Sequence, residues 1–238
     1  MTDRLSGVRT PWTDIVNAQL DPALRARCLE LLAEKYYEPI RSFIVAAMGV
    51  NRPEAADDLT QAFFLRFIES DCLDVLDRER GRLRNWFKTS VRRFVLDEMK
   101  KGNRGNAASP FCKLERLPGG DIAPPDRAGP TPEEEFNRRW ARELFADAVT
   151  AFRRYCRDNG KQRCFQVFER HVLAGGKAAA PSYGETAAEL GMSVKDVSNC
   201  LGRTKKKFQA LLRELVRATV AGDGDVDAEL RDLLRHFR

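Results

Sequence analysis

The sequence has little of what metal sites and catalytic centres need. It holds two histidines, and none of its six cysteines lies in a C-x-x-C pair. Because zinc sites use clustered cysteine and histidine ligands, we predict no metal and no cofactor. We expect reduced, partly buried thiols at all six positions: Cys28, Cys72, Cys112, Cys156, Cys164 and Cys200.

Long apolar runs are also missing. The first residues, MTDRLSGVRTPWTD, have no apolar stretch of the kind found in signal peptides, and no run of about 18 apolar residues occurs elsewhere. We therefore expect no signal peptide, no membrane span and a cytoplasmic protein. The net charge of +6 is compatible with nucleic acid as a partner, so the distribution of the charge matters more than its size.

Strand patterns are scarce, whereas helix patterns and helix boundaries are frequent, so we predict an all-α fold. Asp21 and Pro22 are typical of a helix start, and Gly49 is typical of a helix end. Between them Pro39 is expected to interrupt the helix. Further helices are predicted over about 51–70 and 83–101.

A segment rich in proline and glycine divides the chain. We predict one helical domain over 1–102, a flexible linker over 103–130, a second helical domain over 131–218 and a C-terminal extension over 219–238. The second domain is expected to begin at a capping box formed by Thr131 and Glu134.

The stretch SYGETAAELGMSVKDVSNCLGRTKKKF has the pattern of a helix-turn-helix. Ser182 and Ser193 can cap its two helices, 183–190 and 194–217, and Gly191 supplies the turn. In the second helix one stripe recurs at three- and four-residue steps and is predicted to be buried: Val194, Val197, Leu201, Thr204, Phe208, Leu211 and Leu215.

The opposite side of that helix carries short polar and basic side chains, which suit a major groove. Seven basic residues against two acidic ones fall between 194 and 217. An ordinary helical hairpin with a solvated basic face fits these residues as well. The candidate DNA contacts are Lys195, Ser198, Asn199, Arg203, Lys205, Lys206 and Lys207.

A second basic segment lies in the predicted third helix, where ten basic residues against three acidic ones fall between 78 and 104. Trp86 is expected at the edge of the basic face, where bases could stack on its indole while cations meet phosphate. The alternative is that Trp86 belongs to the core. The candidate nucleic-acid contacts are Arg84, Asn85, Trp86, Lys88, Arg92 and Arg93.

The predicted second helix has an acidic face instead. Asp57, Asp58 and Gln61 lie opposite its apolar residues, and no histidine, lysine or cysteine is placed to join them in acid–base chemistry. The pattern favours a protein-binding patch over catalysis, and a merely solvated face stays open. We predict that the protein is not an enzyme.

These segments resemble a known family. The stretches ADDLTQAFFLRF and DRERGRLRNWFKTSVRRFVLDEMKK are similar to region 2 of bacterial extracytoplasmic-function (ECF) sigma factors, and the helix-turn-helix is similar to their region 4. The resemblance implies a subunit that directs core RNA polymerase to promoter DNA. It also implies roles for the candidate residues: the acidic face binds core polymerase, the third helix reads the −10 element, and the helix-turn-helix reads the −35 element.

The sequence departs from the family pattern at a few positions. Many members carry a basic residue where Cys200 stands and a histidine where Gly202 stands, so base contacts from these two positions are not expected. The tail from Ala221 lies outside the pattern. It is either a regulatory or anti-sigma contact or a helix that packs on region 4. Alternative functions are a stand-alone helix-turn-helix regulator, an enzyme acting on nucleic acid, and a sigma-like module that no longer initiates transcription.

Overall fold

A computed structural model describes residues 11–50, 52–77, 82–103, 129–174, 181–220 and 222–236, and these residues form helices and no strands. The all-α prediction is therefore confirmed. The linker predicted over 103–130 lies almost entirely outside the described residues. The α-helices are α1 Pro11–Leu20, α2 Pro22–Met48, α3 Pro53–Glu69, α4 Leu83–Asn103, α5 Pro132–Asp158, α6 Gln162–Phe168, α7 Tyr183–Leu190, α8 Val194–Arg217 and α9 Asp223–Arg235.

Two short helical turns complete these elements. A 3-10 turn over Cys72–Val75 follows α3, and a π-helical turn over Glu169–Leu173 continues α6. The chain divides into two compact units. The first unit is Met1–Glu143 with Val216–Arg238, and the second is Leu144–Leu215. The C-terminal helix α9 and the first turns of α5 thus belong with the N-terminal helices.

The helix boundaries follow local chemistry, as predicted. The Asp21 carboxylate accepts a hydrogen bond from the Ala23 backbone N–H at 2.9 Å, and Gly49 ends α2 with a φ of 63°. Thr131 and Glu134 form a reciprocal capping box at the start of α5, with bonds of 2.8 and 3.2 Å. Such caps satisfy backbone groups that have no partner within the helix.

The prediction that Pro39 interrupts its helix is wrong. The helix α2 runs through Pro39 without a break. Proline removes one backbone donor and is costly inside a helix. Here the flanking side chains of Tyr36, Ile40 and Phe43 are all buried, and their packing outweighs that local cost.

Aromatic rings fill the core of the first unit. Tyr36 of α2 stacks on Phe87 of α4 with ring centroids 4.0 Å apart, and Phe63 of α3 meets Phe94 of α4 edge-on at 5.7 Å. Edge-on and offset pairs of this kind add to the free energy of burial. The helix α1, which the sequence patterns did not predict, is anchored by the buried Trp12 and Ile15.

The second unit has its own aromatic core. Phe152 of α5 packs against Phe168 of α6 at 4.9 Å and against Phe208 of α8 at 5.8 Å. Phe165 completes this cluster. The helix-turn-helix therefore rests on a platform made by α5 and α6.

The expectation of reduced thiols throughout is wrong for three cysteines. Cys164 of α6 and Cys200 of α8 form a disulfide, with Cα atoms 5.1 Å apart, and Cys72 is also disulfide-bonded. Cys28 and Cys156 are free and buried, as expected. Sequence spacing did not reveal the pair because 36 residues separate the two cysteines and only helix packing brings them together.

Candidate polymerase and nucleic-acid interfaces

The acidic face of α3 separates into two environments. Asp58 and Gln61 are exposed, as a docking face requires. The Asp57 side chain is 41% exposed, and its carboxylate also accepts hydrogen bonds from Arg41 and from the Tyr37 hydroxyl. All three predicted residues are thus accessible at least in part, and Asp57 also joins α3 to α2.

Two exposed apolar side chains extend the same face. Leu65 and Ile68 are 58% and 49% exposed. With Asp58 and Gln61 they recur at three- and four-residue steps, so all four form one stripe along α3. We call these four residues the α3 stripe. The apolar part could have been found from the sequence, because Leu65 and Ile68 fall outside the sector that holds Phe63, Phe64 and Phe67.

The expectation that Arg84, Trp86 and Arg93 lie on an exposed basic face is wrong. Their exposed fractions are 3%, 6% and 7%. Trp86 packs edge-on against the rings of Phe67 and Phe87 at 5.5 and 5.2 Å, so the core alternative holds for it. Helical periodicity assigns a residue to a sector but does not reveal whether another element covers that sector.

The cover over Arg84 comes from the first turns of α5 and from α9, both of which belong to the first unit. The Arg84 guanidinium lies 4.6 Å from the centre of the Trp140 ring and donates to the Asn137 side chain at 3.2 Å. It also donates to Glu229 of α9 at 2.8 Å. Arg84 thus makes a cation–π contact with Trp140 and a charge-assisted hydrogen bond with Glu229, and both contacts hold the guanidinium in place. Glu229 is 145 residues from Arg84, and no pattern in the sequence indicated it.

A narrower polar stripe remains accessible on α4. Asn85 is exposed, and Lys88, Thr89 and Arg92 are half-buried. Steps of three and four residues place these side chains on one face of the helix. We call these four residues the α4 stripe. The Arg92 Nε atom is itself buried and has no hydrogen-bond partner within the described residues.

The pKa of the Lys88 amine is lowered from its ordinary value. Burial and, to a smaller extent, the neighbouring Arg84 together lower its pKa to about 8, against the opposing effects of Glu229, Glu133 and Asp232. A lysine with a pKa lowered in this way is charged below about pH 8 and loses its charge above it. A phosphate on the α4 stripe would favour the charged form.

We expect single-stranded DNA binding to depend on pH through Lys88. Between about pH 7 and pH 9 the salt slope of binding falls by about 0.7, the value of one phosphate contact on a single strand. Fluorescence anisotropy of a labelled oligonucleotide at several salt concentrations measures it. Lys88→Arg keeps its charge over this range and is expected to lose the pH dependence. If this variant shows the same pH dependence as the wild type, a group other than Lys88 causes it.

The helix-turn-helix has the predicted caps and turn. Ser182 accepts from the Glu185 N–H at 3.1 Å, and Glu185 accepts from the Ser182 N–H at 2.6 Å. Gly191 has a φ of 60°, the left-handed conformation that glycine adopts at little cost. Ser193 caps α8 by accepting from the Asp196 N–H at 3.1 Å.

The two faces of α8 separate as predicted, with one exception. The residues of the expected apolar stripe are buried from Val197 to Leu215, whereas Val194 is 52% exposed and was wrongly assigned to the stripe. Val194 is the first residue of α8, where no preceding turn covers the side chain. The predicted DNA-facing side chains are exposed, with Lys207 half-buried: Lys195, Ser198, Asn199, Arg203, Lys205, Lys206 and Lys207.

The structure gives physical reasons why three positions on α8 differ from the others. Lys207 lies 4.3 Å from the centre of the Tyr155 ring, so a cation–π contact holds it at the edge of the exposed face. The Cys200 sulfur is bonded to Cys164. At Gly202 a Cβ atom would meet nothing within 4 Å, so a larger side chain would fit there without a clash.

The residues that the structure describes offer neither a metal site nor a membrane-spanning segment. They contain no group of three or more histidine, cysteine, aspartate or glutamate side chains that could hold a metal ion. No helix among them is both long and apolar enough to cross a membrane.

The family comparison concerns the helices just described. Residues 32–105 match the model of sigma-70 region 2. The match covers less than half of the chain. It supports a sigma-70 family member, and a sigma-70 region 2 implies core RNA polymerase and promoter DNA as partners. Neither the curated proteins nor the solved structures contain a match to the chain.

The matched segment holds both stripes. It covers most of α2, all of α3 and all of α4, and it therefore includes the α3 stripe and the α4 stripe. In region 2 a role in polymerase binding and promoter melting is supported by the family match. The two stripes thus lie inside the segment that matches the family model.

Proposed function

We propose that the protein is an ECF-type sigma factor that binds core RNA polymerase and directs it to promoters through −10 and −35 contacts. The observation that carries the proposal is the match of residues 32–105 to sigma-70 region 2. The ordered pair of a region 2 and a downstream helix-turn-helix supports the finer assignment to the ECF class.

Polymerase docking is assigned to the α3 stripe. Asp58 and Gln61 offer a charge and an amide at one end, and Leu65 and Ile68 offer apolar area at the other. Interfaces commonly combine apolar contacts that supply affinity with charges that steer encounter and fix register. Asp57, which is also partly exposed, joins this face to α2 through its bonds to Arg41 and Tyr37.

Contact with the −10 element is assigned to α4. Asn85, Lys88 and Arg92 of the α4 stripe are accessible to a strand, and the buried Arg93 and Trp86 act through the packing of the helix. Unstacking a base costs a few kcal/mol, which stacking and phosphate contacts on the protein must offset. Arg84 can contribute only if the helix that covers it moves.

Reading of the −35 element is assigned to the exposed face of α8. Lys195, Ser198, Asn199 and Arg203 recur at helical spacing on that face and are exposed. A recognition helix of this kind presents side chains to base edges in the major groove. The lysines that follow supply phosphate contacts, which set register rather than sequence.

Two DNA-binding surfaces on one chain, one on α4 and one on α8, bind DNA more tightly together than separately. Neither cationic surface is large, so each alone is expected to bind DNA weakly. Tethering raises the effective concentration of the second surface, provided that the two DNA elements are spaced to match. We expect core polymerase to supply that spacing.

In vitro transcription tests the proposal as a whole. The purified chain, mixed with core polymerase and a fragmented genomic library, is expected to give discrete start sites preceded by two shared sequence elements. Core polymerase alone is the control. Association with polymerase but no specific start sites would favour the sigma-like module without initiation. Specific DNA binding without any polymerase association would favour the stand-alone regulator.

Arg203 provides a sharper test of the −35 assignment. If Arg203 reads a base, we expect Arg203→Ala to weaken −35 binding by about 1–3 kcal/mol and to relax specificity at one position. If it contacts only phosphate, the salt slope falls by about one and the specificity is kept. Binding to a panel of −35 variants distinguishes the two results.

The matched control for this variant is Arg154→Ala. Arg154 is an exposed arginine of the same unit on α5, on the side of that helix opposite the buried Phe152 and Cys156. It removes the same charge and is expected to leave binding nearly unchanged. Equal effects of the two substitutions would show that only net charge matters and would remove Arg203 from the interface.

A further inference from the structure

We propose that α9 is an acidic cover over the cationic start of α4, and that it must leave this position before Arg82 and Arg84 can bind nucleic acid. The proposal rests on the function proposed above, because it concerns the helix assigned to the −10 element. It adds a regulatory contact and a competitor of defined chemistry, the phosphate backbone of a single DNA strand.

The contact is centred on one buried carboxylate. Glu229 is 0% exposed, and its Oε2 atom accepts from Arg82 Nη1 at 2.7 Å and from Arg84 Nη2 at 2.8 Å. Asp232, one turn further along α9, lies 3.0 Å from Arg82. The Leu83 backbone N–H also donates to the Thr219 carbonyl at 3.3 Å. Two guanidinium groups that converge on one oxyanion resemble a phosphate site occupied by a side chain.

Stability alone is a weak reason for such a network. A buried ion pair often contributes little compared with apolar packing of the same volume, because both charges lose their hydration. This network is also incompletely satisfied. Arg84 Nε and Glu229 Oε1 are buried and have no hydrogen-bond partner within the described residues. Each such atom costs free energy in the closed position and regains hydration when α9 leaves.

The helix α9 is a short element that depends on its surroundings. It has 13 residues, begins after Gly222 without a side-chain cap, and contains Gly224 in its first turn. Isolated helices of this length are marginal in water, so its order requires the docked position. Its apolar anchors are few, with Val226 and Leu233 fully buried and Leu234 53% exposed.

When α9 leaves, the first turn of α4 loses its acidic cover, and Arg82 and Arg84 become available to another anion. Arg84 keeps its contacts with Trp140 and Asn137 of α5 and loses only its carboxylate partners. A DNA strand offers these two arginines phosphate oxygens in place of the Glu229 and Asp232 carboxylates. DNA and α9 therefore compete for one surface, and each binds more weakly when the other is present.

The test compares two double variants of the full chain. Glu229→Gln with Asp232→Asn removes the carboxylates that face the arginines, and Glu30→Gln with Asp225→Asn makes the same charge change elsewhere in the first unit. The probe is a labelled single-stranded DNA of about 20 nucleotides, titrated at several salt concentrations. The first variant is expected to bind about tenfold more tightly than the wild type, with a salt slope steeper by about 1.4 for two added phosphates.

The control variant distinguishes competition from net charge. Its affinity is expected to rise less than about twofold, since its carboxylates do not contact Arg82 or Arg84. Equal gains in the two variants, or no gain in the first, would overturn the proposal. Circular dichroism verifies that both variants stay folded.

Hydrogen exchange of the wild type provides an independent measurement. Adding the single-stranded DNA is expected to reduce the protection of the amides of α9 and to leave that of α2 unchanged. Protection of α9 that is unchanged or raised by saturating DNA would contradict release, whatever the variants show. This readout does not depend on whether a substituted chain folds.

Core polymerase separates the two proposals. If the charge variant gains DNA affinity but no form of the chain associates with polymerase, the cover exists and the proposed function fails. If wild type and variant drive equal transcription and bind single-stranded DNA equally, the proposed function stands and the cover fails.

Discussion

Replacing Asp58 with lysine is expected to weaken association with core RNA polymerase by about 2 kcal/mol or more, about thirtyfold. Asp58 is exposed on the α3 stripe, so the substitution reverses a charge without disturbing the core. A partner that has a cation opposite this carboxylate would then face a like charge. The affinity is measured by titrating labelled core polymerase with the purified chain, at low and at physiological salt.

Glu30→Lys is the matched control for this substitution. Glu30 is an exposed acid of α2 in the same unit, and it lies off the α3 stripe and outside the segment that matches the family model. It carries the same charge reversal and is expected to change the affinity much less than Asp58→Lys. Asp57 is unsuitable as a control because it is bonded to Arg41 and Tyr37. Unchanged polymerase binding by the Asp58 variant would mean that the acidic face is only solvated.

Removing the disulfide between Cys164 and Cys200 is expected to destabilise the second unit by about 4 kcal/mol. The bond closes a loop with a sequence separation of 36 residues. Closing a loop of that length lowers the conformational entropy of the unfolded chain, which raises the free energy of unfolding by about this amount. The bond also joins α6 to the first third of α8, next to buried residues of both helices. Cys164→Ser with Cys200→Ser is the variant, and hydrogen exchange of α6 and α8 gives the local free energy of opening.

Reductant and a third cysteine provide the controls. A thiol reductant is expected to lower the protection of α6 and α8 in the wild type and to leave the double variant unaffected in these helices. Cys156→Ala removes a buried free thiol of the same unit, and its response to reductant is expected to match that of the wild type. If reductant leaves the second unit of the wild type unchanged, the bond does not contribute to its stability in solution.

The parts of the fold that depend on near neighbours were predictable. Caps at Asp21, Thr131, Ser182 and Ser193 involve bonds that span two or three residues, so the local sequence contains both partners. The turn at Gly191 requires one glycine. The buried stripe of α8 follows from the 3.6-residue period, and it failed only at Val194, the first residue of the helix, where no preceding turn covers the side chain.

For the candidate sites, the sequence predicted which side of a helix each residue lies on. It did not predict whether that side is exposed. The α4 residues Arg84 and Lys88 recur at helical spacing on one face, and the sequence could not show that α5 and α9 cover the first of them. Nor could it show the partners of Asp57, which come from α2. A residue's sector is a local property, whereas its exposure depends on what packs against that sector.

The sequence by itself determined that the chain is helical, where most helices begin and end, and which segments carry the cationic and acidic residues. Only the tertiary structure decided that Cys164 pairs with Cys200 and that Glu229 covers Arg82 and Arg84. The physical reason is the distance along the sequence over which each interaction acts. Helical period and capping act over a few residues, whereas these contacts join positions 36 to 147 residues apart, which meet only when the helices pack.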